Sequence, residues 1–230
     1  MARLPRLVVP GQAHHVIQRG NDGQSVFRET ADYLKFIDWL RDSGKLFKVA
    51  IHAYVLMPTH LHLLVTPADE QGLSRMMQWI GRHYVPYFNL KYGRSGTLWQ
   101  GRFKATVLDA EHYLMTCCRY IELNPVRSGM VASPENYPWS SCLHHIGVKA
   151  DPVVTDHPLY WRLGNTPFDR EVAYKGLLER GINEADVAAL TEATLKGWAL
   201  GSTAFAAMLA RQSQRRVLPV RRGRPAKPKA

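Results

Sequence analysis

Two short stretches hold residues whose types and spacing support chemistry. The first is His60-Leu61-His62. In an extended chain, positions i and i+2 point to one face with Cα atoms about 6.5–7 Å apart, close enough for two imidazoles to share a divalent cation. Leu61 and Leu63 then point the other way, toward a core. The same pattern fits two histidines on a solvated sheet face with no ligand at all. The second stretch is Arg119-Tyr120-Ile121-Glu122-Leu123-Asn124-Pro125. On a helix, Tyr120 and Asn124 stand at i and i+4 and share a face. A phenol oxygen can act as a nucleophile, but a pKa near ~10 keeps it protonated at neutral pH, so it needs a metal or a base beside it. Taken alone, Tyr120 also reads as a core aromatic with a satisfied hydroxyl, and Asn124 as the residue that ends a helix before proline.

The elements that must position these residues follow from periodicity. Residues 13–18 read as a strand closed by the turn cluster Arg19-Gly20-Asn21-Asp22-Gly23. Thr30 is placed to cap a helix whose apolar residues Tyr33, Leu34, Phe36, Ile37 and Leu40 recur at helical spacing, with Gly44 as its stop. Residues 47–57 and 61–66 form a hairpin around Pro58-Thr59, so the histidine pair opens its second strand. Residues 73–90 carry a helical pattern that Pro86 should kink or shorten. A strand over 103–108 and a helix over 111–123, capped by Asp109 and stopped by Pro125, complete the segment. The order strand, helix, strand, strand, helix, strand is the split βαββαβ of a ferredoxin-like, α+β fold, with one added helix that carries Tyr120. Its sheet is expected to be mainly antiparallel with helices on one face.

After residue 150 strand signals fade. Residues 168–179 and 184–195 read as helices, and 202–209 as the start of a third. From residue 212 the chain is rich in Arg, Lys, Pro and Gly, and no packed structure is expected there. Three segments result: 1–150, a helical extension over 151–211, and a basic tail over 212–230.

Charge separates the same segments. The chain of 230 residues has a net charge of +11: residues 1–150 carry +6, residues 151–210 carry −3, and residues 211–230 carry +8 with no acidic residue. A basic body and a basic tail around an acidic middle point to a polyanion, most simply nucleic acid. No apolar run reaches the ~18 residues of a membrane span. The basic start, Met1 to Pro10, has too short an apolar stretch for a signal peptide. Three cysteines, with no Cys-x-x-Cys, fit neither a disulfide framework nor a Cys-rich zinc site, and suit a reducing cytoplasm. Cys142-Leu143-His144-His145 lacks a fourth zinc ligand at a sensible spacing. His14 and His15 straddle a strand, so at most one faces the pair at 60 and 62, and His52 reads as a packing or solvent residue.

Together the two stretches are more specific than either alone. Tyr54-Val55-Leu56-Met57-Pro58-Thr59-His60-Leu61-His62-Leu63-Leu64-Val65, followed some sixty residues on by Arg119 to Arg127, resembles the HUH single-tyrosine transposases, and among them the REP-associated tyrosine transposases. Gln18-Arg19-Gly20-Asn21 and Leu98-Trp99-Gln100-Gly101-Arg102-Phe103-Lys104 support the resemblance, which covers about 13–145. It implies a ferredoxin-like nuclease in which His60 and His62 bind Mg²⁺ or Mn²⁺, Asn124 offers a third ligand and Tyr120 is the nucleophile on single-stranded or hairpin DNA. Attack by Tyr120 would leave a 5′-phosphotyrosine and a free 3′-hydroxyl. Arg19, Arg102, Lys104 and Arg127 are candidates for phosphate contacts and Trp99 for stacking on a base. In the tail, Arg222-Gly223-Arg224-Pro225 resembles the core of an AT-hook, and generic phosphate attraction explains it equally well. Two other readings stay open: a nucleic-acid-binding protein that uses these residues structurally, and a phosphoesterase that uses water. Nothing in the sequence sets an oligomeric state.

Overall fold

The computed structural model describes residues 6–213 and 215–219. Its first seven elements are β1 (Ala13–Arg19), α1 (Thr30–Leu46), β2 (Val49–Met57), β3 (His60–Pro67), α2 (Gly72–Lys91), β4 (Lys104–Leu108) and α3 (Ala110–Glu122), in the expected order. The strands form one sheet in the order β2-β3-β1-β4. Every neighbouring pair is antiparallel. β1 and β2 run parallel with β3 between them, the split crossover that defines the ferredoxin-like arrangement.

Helices cover both faces of the sheet, not one. α1 and α2 bury Phe36, Leu40, Leu73, Met76, Ile80 and Tyr84 against Val16, Leu61, Leu63 and Val65. The opposite face holds Ala13, Ala53, Val55 and Leu64, covered by Leu114, Cys117, Cys118 and Ile121 of α3. β1 is central, so its residues are buried from Ala13 to Gln18 without alternation, and only Arg19 is exposed.

Local chemistry moves three expected boundaries. Asp32 turns back to accept the N–H groups of Arg28 (2.9 Å) and Glu29 (3.3 Å), so Glu29 rather than Thr30 caps α1. Gly44 does not stop that helix. It is buried where a Cβ would sit 3.0 Å from Ile51 Cδ1, so it serves close helix–sheet approach. Pro86 lies inside α2 without ending it.

Beyond α3 come the short helices α4 (Asn124–Arg127), α5 (Cys142–His145) and α6 (Pro158–Trp161), then α7 (Pro167–Glu179), α8 (Glu184–Lys196) and α9 (Thr203–Gln212). They are built onto the sheet. Tyr174, Leu178 and Leu190 join the core under α3. Leu200 donates its N–H to the Val107 carbonyl (3.0 Å), and its own carbonyl accepts from Asp109 N–H (2.8 Å), continuing the edge beside β4. Packing runs past residue 212: Val217 is buried, and its carbonyl accepts the Ala199 N–H at 2.9 Å. Residues 220–230, with Arg222 and Arg224, lie outside the described residues.

Candidate active site

β3 turns His60 and His62 to the face that α3 crosses, with ring centroids 5.1 Å apart. Leu61 and Leu63 are fully buried on the other face, as alternation requires. His60 is half-buried at the end of the hairpin, where its Nδ1 lies 3.1 Å from Thr59 Oγ1. His62 is 2% exposed. Residues near the end of α3 bring the tyrosine ring over this pair: the Tyr120 and His62 centroids stand 5.5 Å apart, edge to face. Two motifs far apart in sequence thus meet across one sheet face.

The helix carrying Tyr120 ends one residue earlier than the sequence suggests. Leu123 closes α3 and opens α4, and Pro125 sits in the first turn of α4, where a missing N–H is harmless. Asn124 is therefore the half-buried first residue of a new short helix, just beyond Tyr120. From α4, Arg127 folds back. Its Nη1 donates to the Tyr120 carbonyl (2.9 Å), and its guanidinium carbon lies 4.4 Å from the centre of the tyrosine ring. The Tyr120 hydroxyl pairs with Thr191 Oγ1 on α8 at 3.1 Å.

A third histidine belongs to this cluster. His15 of β1 lies side by side with His62, ring planes 9° apart and centroids 5.1 Å apart, and meets Tyr120 edge-on at 5.3 Å. Its Nε2 lies 2.9 Å from His62 Nδ1, and its Nδ1 lies 2.7 Å from Thr194 Oγ1 on α8. His14 faces away, with Nε2 accepting the Val9 N–H at 3.1 Å. Strand parity allowed one of these two histidines onto the face of 60 and 62. Choosing between them needed the β1–β3 register, which places His15 opposite Leu64 and Ile17 opposite His62. Thr191 and Thr194 carried no signal in sequence.

Burial dominates the electrostatics. It pushes His60 down to about 4 and His15 to about 3, and holds His62 well below the ordinary histidine range. The positive charges of Arg19 near His60 and of Arg127 near His15 act in the same direction. All three imidazoles are neutral at neutral pH, the form that can offer a lone pair to a cation.

The basic candidates sort by position. Arg19 lies opposite His60 at the end of β1, and Lys104 opposite Ile17 on β4, so both rim the site's face together with Arg127. Arg102 is exposed in the loop before β4. That loop is pinned to the site by Gln100 N–H on the Arg19 carbonyl (2.8 Å). Trp99 is half-buried toward the α1/α2 core, its ring 6.0 Å from Tyr84. The remaining histidines have structural partners: His52 bonds the Thr155 carbonyl (2.7 Å) and Thr66 (2.8 Å), His144 pairs with Asp156 (3.1 Å), and His145 with Glu122 (2.7 Å).

Residues 9–124 match the family model of the IS200-like transposases. No curated protein matches the chain. Among solved structures it is similar to a REP-associated tyrosine transposase bound to a REP hairpin, at 20% identity over 68% of this chain and 92% of that one, with a TM-score of 0.54. It is also similar to a Deinococcus radiodurans R1 protein described as a candidate transposase, at 24% identity over 51% of this chain and 94% of that one, with a TM-score of 0.34. The first likeness is one of fold.

Proposed function

The chain belongs to the IS200-like transposase family, and from that membership we propose that it cuts and rejoins hairpin-forming single-stranded DNA through Tyr120. The observation that carries this reading is the meeting of Tyr120 with His60 and His62 on one sheet face. The REP hairpin held by the structural neighbour supports repetitive palindromic DNA as the substrate.

The donor set fits a divalent cation. Two neutral imidazoles share a face, and the Asn124 amide stands four residues past Tyr120, whose ring meets His62. Among the described residues no group of three or more His, Cys, Asp or Glu is arranged for a metal, so any further ligands are the Asn124 amide, water or the DNA itself. Mg²⁺ or Mn²⁺ held by His60, His62 and Asn124 would withdraw charge from the scissile phosphate.

The chain's own residues supply the rest. Tyr120 Oη forms a bond to phosphorus as the bond from phosphorus to the 3′-oxygen breaks. The phenol loses its proton, and the leaving 3′-oxygen ends protonated as a hydroxyl. The phosphodiester energy stays in the 5′-phosphotyrosine, so rejoining needs no nucleotide cofactor. Arg127 keeps a positive charge against the tyrosine ring, where an arriving phosphate needs one, and Arg19, Lys104 and Arg102 extend that charge along a strand's path. Trp99 is left for base contact at the edge of the same loop, and Arg222 and Arg224 for tail contacts to duplex or hairpin. The proposed chemistry lies before residue 150, and residues from 158 onward brace it through Tyr174, Thr191 and Thr194. Three free buried thiols suit action in a reducing cytoplasm.

A 3′-labelled hairpin oligonucleotide tests the reading. Wild type should retain label through denaturing electrophoresis, and Tyr120→Phe should bind the DNA but retain none. Cleavage by Tyr120→Phe with a water-derived 5′-phosphate would show a phosphoesterase instead. DNA binding without cleavage by wild type, with Mg²⁺ or Mn²⁺ present, would show a binding protein on a transposase fold.

A further inference from the structure

We infer that His15 and Thr194 are positioning residues that fix which nitrogen of His62 carries the proton, leaving His62 Nε2 as the cation-facing lone pair. The inference rests on His62 as a cation ligand, and deepens that reading by naming what holds the ligand ready.

The direction of each hydrogen bond follows from what each atom can do. The Leu190 carbonyl can only accept, and Thr194 Oγ1 lies 2.7 Å from it, so the single hydroxyl proton of Thr194 points there. Thr194 Oγ1 must then accept from His15, whose Nδ1 is 2.7 Å away. His15 is 1% exposed, and no carboxylate contacts it among the described residues, so it holds one proton only. With that proton on Nδ1, His15 Nε2 is a lone pair. It accepts from His62 Nδ1 at 2.9 Å. His62 is 2% exposed and no carboxylate contacts it among the described residues, so it too holds one proton and is left with an unprotonated Nε2. The chain of bonds runs from a helix carbonyl through Thr194 and His15 to His62, and each link admits one direction.

The two ring planes lie 9° apart, so the hydrogen bond is made in the plane of both imidazoles and also fixes the ring of His62 about its χ angles. Ligating histidines usually donate their second ring nitrogen to a neighbour that sets tautomer and orientation. Here that neighbour is another imidazole, and its own tautomer is set by a threonine on α8, far along the chain. The helical extension thereby reaches the proposed cation site through two hydrogen bonds.

The test uses the full chain without metal, and Mn²⁺ as the probe. Long-range ¹H–¹⁵N correlation spectra of the histidine rings should show the His62 proton on Nδ1 in wild type. A proton on Nε2 would overturn the inference without any variant. His15→Phe keeps ring bulk but removes the acceptor, and Mn²⁺ affinity by titration should fall about 10- to 100-fold. His15→Gln places an amide oxygen near the lost Nε2 and should recover most of that loss, which a merely space-filling residue would not explain. Thr194→Val frees His15 Nδ1 with little change of shape. It should release the His62 tautomer preference, and it stands in if His15→Phe does not fold. His60→Ala separates the two readings. If wild type binds Mn²⁺ no more tightly than His60→Ala, the cation site fails and the ring spectra alone decide this inference. If wild type binds Mn²⁺, and His15→Phe and Thr194→Val match it in affinity and His62 tautomer, the cation site stands and this inference falls.

Discussion

Removing one oxygen from Tyr174 should destabilise the whole protein. Tyr174 is fully buried on α7, and its hydroxyl donates to Glu122 Oε2 at 2.7 Å. The other carboxylate oxygen of Glu122 accepts from His145 Nδ1 at 2.7 Å and from the Ser141 hydroxyl. Glu122 is fully buried in turn, so water cannot replace a lost donor. Burial, followed by the charge of Glu122, pushes the Tyr174 phenol well above its ordinary range, so it remains a donor throughout the working pH range. Tyr174→Phe leaves no cavity larger than one oxygen, and the cost is the bond itself. A hydrogen bond to a charged group contributes about 1.5–3 kcal/mol. For a chain of this size, each kcal/mol moves Tm by about 2–4 °C, which gives a fall of about 3–12 °C. Tyr160→Phe is the internal control. Its hydroxyl donates at 2.8 Å to a neutral acceptor, the His145 carbonyl, and should cost about 0.5–1.5 kcal/mol. Thermal melts followed by circular dichroism would compare the two. A Tyr174→Phe melt within about 1 °C of wild type, or a larger loss from Tyr160→Phe, would refute the reasoning.

Two further outcomes follow from charge. Burial would raise the Asp32 carboxyl, but hydrogen bonds from Lys91, Tyr92, the Arg28 N–H and Tyr87 outweigh it and hold the group below its ordinary value. A depressed carboxyl stabilises the fold above its unfolded pKa of about 3.9 and loses that stabilisation as pH falls through the lower folded value. Urea melts between pH 7 and pH 3 should therefore show an acid loss in wild type that Asp32→Asn lacks; equal acid slopes would exclude this role. Deleting residues 220–230 removes five basic residues that lie outside the described residues. Hairpin-DNA affinity should fall and its salt dependence become shallower, while Tm stays within about 2 °C, and an unchanged salt slope would show that the tail does not touch DNA.

Much of the fold was legible because its signals are local. The His60–His62 alternation, the hairpin at Pro58-Thr59 and the 3.6-residue stripe of α1 each reflect neighbours within a turn or a strand. What escaped depends on distant chain. A strand buried on both faces usually reads as a continuous apolar run, but in β1 buried His14, His15 and Gln18 interrupt it, so the second layer of helices was unseen. Gly44 read as a stop because its packing role is set by Ile51 across the helix–sheet contact. Pro125 read as an end, although it begins another helix, since proline suits both places. Of the site, the histidine pair and the tyrosine carry motif-like spacing. His15 needed a register, and Thr191 and Thr194 needed a helix arriving some seventy residues later.

That late arrival has a consequence for how the protein is made. A ribosome adding about 5–20 residues per second needs ~4–15 s to travel from Tyr120 to Thr194. During that interval the residues of β1, the hairpin and α3 have been synthesised, yet His15 lacks its threonine, the Tyr120 hydroxyl lacks Thr191, and Glu122 lacks Tyr174. A chain whose synthesis stops before Tyr174 carries Tyr120 and both histidines without the groups that hold them in register. Because Thr191 and Thr194 follow Tyr120 by some seventy residues, the cluster takes its final geometry only once that later stretch of chain has been made.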